Sequence, residues 1–152
     1  MSTFVDDLFD RFHEIHTDLL KAVDGLPDAA LDWVPGAEMN SINVLVVHLT
    51  ASEKYWIGAM GLGEPTDRVR DEEFQARGLT VDELKQRLNA ADEYARQALP
   101  HFTLPDLATV RKSARSEKTF TVGWCLLHAL EHSALHLGHI QLTRQLWEQK
   151  NN

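Results

Sequence analysis

The sequence predicts an all-α fold, a four-helix bundle, and three observations carry that prediction. Apolar residues recur at helical spacing in four separate segments. Caps, glycines and prolines bound those segments. One long polar connection separates the second segment from the third, a length that suits a crossover between parallel neighbours better than a tight helix hairpin. Each apolar stripe must bury against another, and four such stripes close a bundle. The helices are expected near residues 3–25, 41–60, 80–99 and 121–148.

The first segment, residues 3–24, places Val5, Leu8, Phe12, Ile15, Leu19 and Val23 along one helical face, and Gly25 with Pro27 ends it. Residues 29–33 add a short turn before Pro35 and Gly36. His13 and His16 have Arg11, Glu14, Thr17 and Asp18 as polar neighbours, which places both histidines at the solvent or the rim.

The second helix starts at Asn40 or Ser41, either of which can accept an orphan backbone N–H, and stops at Gly61 and Gly63. Val44, Leu45, Val46, Val47, Leu49 and Ala51 make it apolar almost all round, hence central. His48 interrupts that run, with Tyr55 on its face, either as a hydrogen-bonded core histidine or as a ligand. Residues 61–79 are polar and charged. Thr80 to Glu83 is a capping box that fixes the third helix, whose stripe of Val81, Leu84, Leu88, Ala91, Ala95 and Leu99 stops at Pro100. Residues 101–120 read as irregular, with residues 119–122 able to extend briefly before Thr121 caps the last helix.

That last helix holds the chemistry. His128, Glu131, His132, His136 and His139 fall within twelve residues. At about 100° per residue, His132, His136 and His139 lie at roughly 40°, 80° and 20° from His128, so four imidazoles share one face. Trp124, Leu126, Leu127, Leu130, Leu135, Leu137, Ile140, Leu142 and Leu146 surround them, which predicts a largely buried helix. His132 and His136 form an i, i+4 pair that can close on one ion, and His48 supplies a third ligand from the second helix. Three protein ligands leave a position for water or substrate, as catalytic sites do. All-nitrogen ligation suits one divalent ion, Zn²⁺ or Ni²⁺ first and Fe²⁺ or Mn²⁺ after. The alternative is a polar seam of histidines satisfied by hydroxyls and water, with no metal.

The totals bound the function. A chain of 152 residues fits one domain, 1–152, and buries roughly two-thirds of its unfolded surface. A net charge of −8 argues against nucleic acid. No window reaches the ~18 consecutive apolar residues of a membrane span. Acids stand where a signal peptide has bases, and one cysteine gives no disulfide framework, so a cytoplasmic location is expected.

Asn40-Ser41-Ile42 leading to Val47-His48-Leu49, and His128 through Ile140 with its His-x3-His-x-Gly-[His/Gln] motif, resembles the DinB/YfiT-like superfamily over nearly the whole chain. That superfamily includes bacterial thiol-dependent S-transferases and maleylpyruvate isomerases. The resemblance implies an up-down-down-up bundle, often a homodimer, with one divalent metal on His48, His132 and His136. Gly138 matches the family glycine; His132 stands where some relatives carry Glu, and His139 where many carry Gln. The implied activity is transfer of a low-molecular-weight thiol, such as bacillithiol or mycothiol, to an electrophile. A metal-dependent hydrolase and a non-catalytic metal-binding or stress-related bundle are the alternatives.

Around the metal, His128 and His139 can orient ligands or take a proton, and Tyr55 can hydrogen-bond substrate or simply pack. Glu131 points roughly 100° away from His132, which suits the surface or a place behind the ligands rather than ligation. Arg111, Lys112, Arg115 and Lys118 solvate a loop or receive the carboxylates of a peptidic thiol. Cys125 reads as a small buried apolar residue, and Trp33, Trp56, Trp124 and Trp147 as core or dimer contacts.

Overall fold

A computed structural model describes residues 3–151, and these are mostly helical. Four long helices dominate. Helix α1 (Thr3–Val23) buries Val5, Leu8, Phe12, Ile15, Leu19 and Val23, the stripe read from the sequence, and turns at Gly25 with φ +71°. Its last carbonyls are not left to solvent. The Arg144 guanidinium donates to the backbone oxygens of Lys21, Ala22 and Asp24, satisfying orphan acceptors at the helix end. The single turn α2 (Asp28–Leu31) follows.

Helix α3 (Ile42–Lys54) is capped by Ser41, whose hydroxyl accepts from the Val44 N–H at 3.2 Å. It continues as a π-helix over Tyr55–Leu62 and stops at Gly63, which adopts the left-handed conformation at φ +78°. A Cβ at Gly58 would meet the Tyr94 hydroxyl and the Glu64 carboxylate, so those two side-chain ends would have to move. The connection then folds back over α3 through a short helix, α4 (Arg70–Glu73).

Helix α5 (Val81–Ala98) begins at the expected capping box. Glu83 N–H donates to Thr80 Oγ1 at 3.3 Å, and Thr80 N–H donates to Glu83 Oε2 at 2.8 Å. After Pro100 the chain was expected to be irregular, and it is not. It makes two 3₁₀ turns, at Leu99–His101 and Pro105–Ala108, and an antiparallel hairpin of β1 (Val110–Lys112) and β2 (Thr119–Thr121). Arg111 faces Phe120 across the hairpin, so part of the basic loop is pinned by strand pairing rather than solvated freely. Helix α6 (Val122–Asn151) starts where Thr121 Oγ1 accepts from the Trp124 N–H at 3.2 Å.

The long helices pack in a ring, α1 against α5, α5 against α3, α3 against α6 and α6 against α1. Two apolar clusters fill it. One gathers Ile15, Leu19, Leu49, Leu88 and Ile140; the other gathers Phe12, Ile57, Ala95, Leu126 and Ala129. A polar layer of His16, Glu53, Asp92 and Ser133 lies between them, one residue from each helix. His16 is therefore not at the rim. It is 1% exposed, because it falls on the same stripe as Phe12 and Leu19. His13 does remain exposed, its ring N–H donating to Asp92 Oδ1 at 3.0 Å.

Helix α6 departs from its expected burial. Trp124, Leu127, Leu135 and Leu142 are exposed, since the ring covers only the faces of α6 turned to α1 and α3. No helix of the described residues is long and apolar enough to cross a membrane.

Candidate metal centre

Helices α3 and α6 bring His48, His132 and His136 together, with one ligand-capable atom of each within 4.8 Å of the others. His48 Nε2 lies 3.1 Å from His132 Nε2, and His136 Nε2 lies 3.1 Å from the same nitrogen. The i, i+4 spacing sets the rings of His132 and His136 4.3 Å apart, as one helical turn should. His48 meets them across the α3–α6 interface, at 4.9 and 5.2 Å between ring centroids.

All three imidazoles are held neutral. Burial pushes His132 down to about 3, with the neighbouring His136, His48 and His128 adding repulsion. Burial pushes His136 down to about 4, again with His48 and His139 contributing. For His48 burial also lowers the pKa, and Arg68 and Arg70 reinforce it against the opposing Glu73 carboxylate. Neutral nitrogens are what a metal ligates.

The tautomer of His48 is set from outside the cluster. Its Nδ1 sits 2.7 Å from Glu73 Oε2, so the proton resides on Nδ1 and the Nε2 lone pair faces the other two histidines. Glu73 is in turn gripped by Arg68, through Nε at 2.6 Å and a terminal nitrogen at 3.0 Å. Burial works against the Glu73 carboxylate, but the hydrogen bonds from Arg68 and His48 hold its pKa below the usual value. Phe74 packs on the His48 ring at 4.8 Å.

The donor set fits a single ion. Three converging Nε2 atoms repel one another as lone pairs, and at most one can be supplied with a proton without exposing another. Ligation of His132 through Nε2 places its proton on Nδ1, which is buried with no hydrogen-bond partner among the described residues, so the second nitrogen of His132 lacks the acceptor that Glu73 gives His48.

The remaining candidates divide. His139 Nδ1 lies 3.4 Å from His136 Nδ1 and is exposed, next to the cluster but not in it. His128 is held away. It stacks on Trp124 at 4.7 Å and 12° and abuts Trp56 at 4.8 Å, with its ring 5.8 Å from that of His132. Tyr55 is buried, shares a hydrogen bond of 3.2 Å with Ser113 Oγ, and carries the Arg68 guanidinium over its ring at 5.3 Å. It borders a crevice of about 340 Å³ together with Arg68 and Glu73. Glu131 is exposed. Cys125 is buried, and burial pushes its thiol up to about 11, the state of an inert core cysteine. Trp33 meets Trp147 edge-on at 5.7 Å, whereas Trp56 and Trp124 form the aromatic box around His128.

Glu73 and Arg68 are the members that sequence reasoning missed. They lie in the polar connection, and nothing local distinguishes them from the other charged residues there.

A family model described as the DinB superfamily matches residues 11–140. This chain belongs to the DinB superfamily. Solved structures agree at the level of fold. A conserved protein from Enterococcus faecalis superposes with a TM-score of 0.78 at 14% identity, covering 96% of this chain and 98% of that one. A DinB-like protein from Bacillus cereus ATCC 10987 gives 0.73 at 14% identity, over 96% of this chain and 92% of that one. No curated protein matches the sequence. Across this DinB-superfamily chain, His48, His132 and His136 all lie inside the matched region.

Proposed function

We propose that this DinB-superfamily protein is a divalent-metal-dependent enzyme that transfers a low-molecular-weight thiol to an electrophile, with His48, His132 and His136 as the ligands. One observation supports the reading above the rest: three neutral imidazoles converge through Nε2, and Glu73 has already fixed the proton of His48 on the outward nitrogen. A polar seam needs no such arrangement. A divalent ion held there, zinc or nickel first by its all-nitrogen ligands, would supply a Lewis acid that lowers the pKa of a coordinated thiol or water.

The chain's own residues do the rest. Arg68 and Glu73 keep His48 oriented, so the ligand nitrogen does not rotate out of line. His139, beside His136 and open to solvent, is placed to take or return a proton. His128 is locked by Trp56 and Trp124 and stiffens the wall of the site. Tyr55 orients Arg68 rather than facing the histidines directly. Hydrolysis is the second reading, because His139 would serve equally to take a proton from water.

We read the helix order as up-down-down-up, since α3 and α5 are ring neighbours joined by the long connection through α4. The exposed apolar stripe Trp124, Leu127, Leu135 and Leu142 supports a homodimer formed through α6.

A thiol-conjugation screen tests the activity. Metal-loaded protein is given bacillithiol, mycothiol or glutathione with a panel of electrophiles, and with ester and amide substrates in parallel. Metal-dependent loss of free thiol is the expected result; turnover of the esters or amides alone would replace transfer by hydrolysis.

A further inference from the structure

A second polar group in the core is not used by the metal centre. Glu53 is 1% exposed, and its Oε2 is shared between His16 Nε2 at 3.1 Å and the Ser133 hydroxyl at 2.9 Å. Its other oxygen, Oε1, is buried and has no hydrogen-bond partner among the described residues. A buried acceptor of that kind calls for a donor.

Glu53 is also one of the residues lining a crevice of about 400 Å³ between α3 and α5. That is the size range of small-molecule sites. Its walls are small and mostly apolar, formed by Ala51, Ala90 and Ala91. Tyr94 closes one end, its hydroxyl donated to Glu64 at 2.7 Å. Two exposed cations, Lys54 and Arg87, complete the lining. Lys54 lies over the Tyr94 ring at 5.8 Å, and the Arg87 charge acts on Glu83 one turn before it.

We propose that this crevice is a second ligand site, separate from the histidine cluster, for a small zwitterion with an apolar body, the chemistry of a free α-amino acid. The ligand ammonium donates to Glu53 Oε1, its carboxylate meets Lys54 and Arg87, and its side chain lies on the alanine walls. A simple cation would be opposed by Lys54 and Arg87. A simple anion would leave Glu53 Oε1 without a donor. Only a molecule carrying both charges satisfies the two ends together. The site does not depend on the metal reading, because no residue of the histidine cluster lines it.

The test is titration of the metal-free full chain with L-leucine, L-methionine and L-phenylalanine, followed by calorimetry and by amide shifts in NMR spectra. N-acetyl-L-leucine and L-leucinamide serve as matched probes lacking one charge each. At least one amino acid should bind saturably with a Kd below ~1 mM, shifting the amides of Ala51, Ala90 and Ala91. Each single-charge probe should bind at least about tenfold more weakly, the loss of one hydrogen bond to a charged group. Ala91→Trp, which fills the crevice at a half-exposed position, should abolish binding. The double variant Lys54→Ala, Arg87→Ala should weaken it without touching the core, and His136→Ala should leave it intact. Absence of saturable binding by all three amino acids would mean that water alone serves Glu53, and would overturn the proposal. So would equal binding of the single-charge probes, indifference to Ala91→Trp, or loss of binding in His136→Ala.

Discussion

His48 Nδ1 lies 2.7 Å from Glu73 Oε2, and this one contact joins the connection between α3 and α5 to the histidine cluster. It turns a flexible-looking polar stretch into part of the site. Arg68, five residues before Glu73, holds the same carboxylate through both of its oxygens. The pair is nearly buried, so the Glu73 charge is not left to solvent screening.

Glu73→Ala should weaken divalent-metal affinity by about 10–100-fold while leaving the fold in place, because it frees the proton on His48 to choose either nitrogen. Glu73→Gln should cost less, since the amide oxygen can still accept from Nδ1. Competition with a chromophoric chelator measures both. Unchanged affinity in Glu73→Ala would show that Glu73 does not orient His48.

The polar layer makes stability depend on pH. Burial alone would lower the pKa of His16, yet its bonds to Glu53 and Asp92 outweigh that and raise it above 6.5. A raised folded-state pKa contributes stability that is fully present below the unfolded value and is lost as pH climbs through the folded one. The stability gap between the wild type and His16→Gln should therefore narrow as pH rises from about 6 to about 9. Urea melts across that range measure it. A gap that widens with pH would contradict the assignment of an imidazolium to the core.

The exposed leucines of α6 should support self-association. Sedimentation at tens of micromolar, roughly the range of moderate dimer affinity, should show a dimer for the wild type and a monomer for Leu135→Glu, with unchanged circular dichroism. Leu135 is 55% exposed, so the charge disturbs no core contact. A wild type that sediments only as monomer would remove the dimer from the account.

Much of this was legible because it is local. Ser41, Thr80 with Glu83, and Thr121 cap their helices where the residue types demand it, and the spacing of His132 and His136 alone fixes their juxtaposition. His16 was misjudged for a physical reason. Its sequence neighbours are polar, but Phe12, His16 and Leu19 share one face, and that periodicity outweighs the neighbours. Glu53 sits in the same relation to Leu49 and Ile57. Glu73 and Arg68 were beyond reach, because their roles depend on how a long connection folds back onto α3. The extended stretch near Thr119 was legible, but its pairing with Val110–Lys112 was not, because each strand is only three residues long. Helix α6 reads as buried on composition, yet a ring of four helices covers only part of its circumference.

The central claim is that His48, His132 and His136 hold one divalent ion, and metal analysis of protein purified without a nickel column tests it most directly. The wild type should carry about one equivalent, the stoichiometry of a single three-ligand site. His136→Ala should carry almost none, since two imidazoles leave the ion mostly hydrated, and its thermal stability should no longer respond to added metal. His128→Ala should keep the metal, because its ring is engaged by Trp56 and Trp124. A metal-free wild type that takes up no ion on reconstitution, or a His128→Ala that empties while His136→Ala stays loaded, would contradict the assignment.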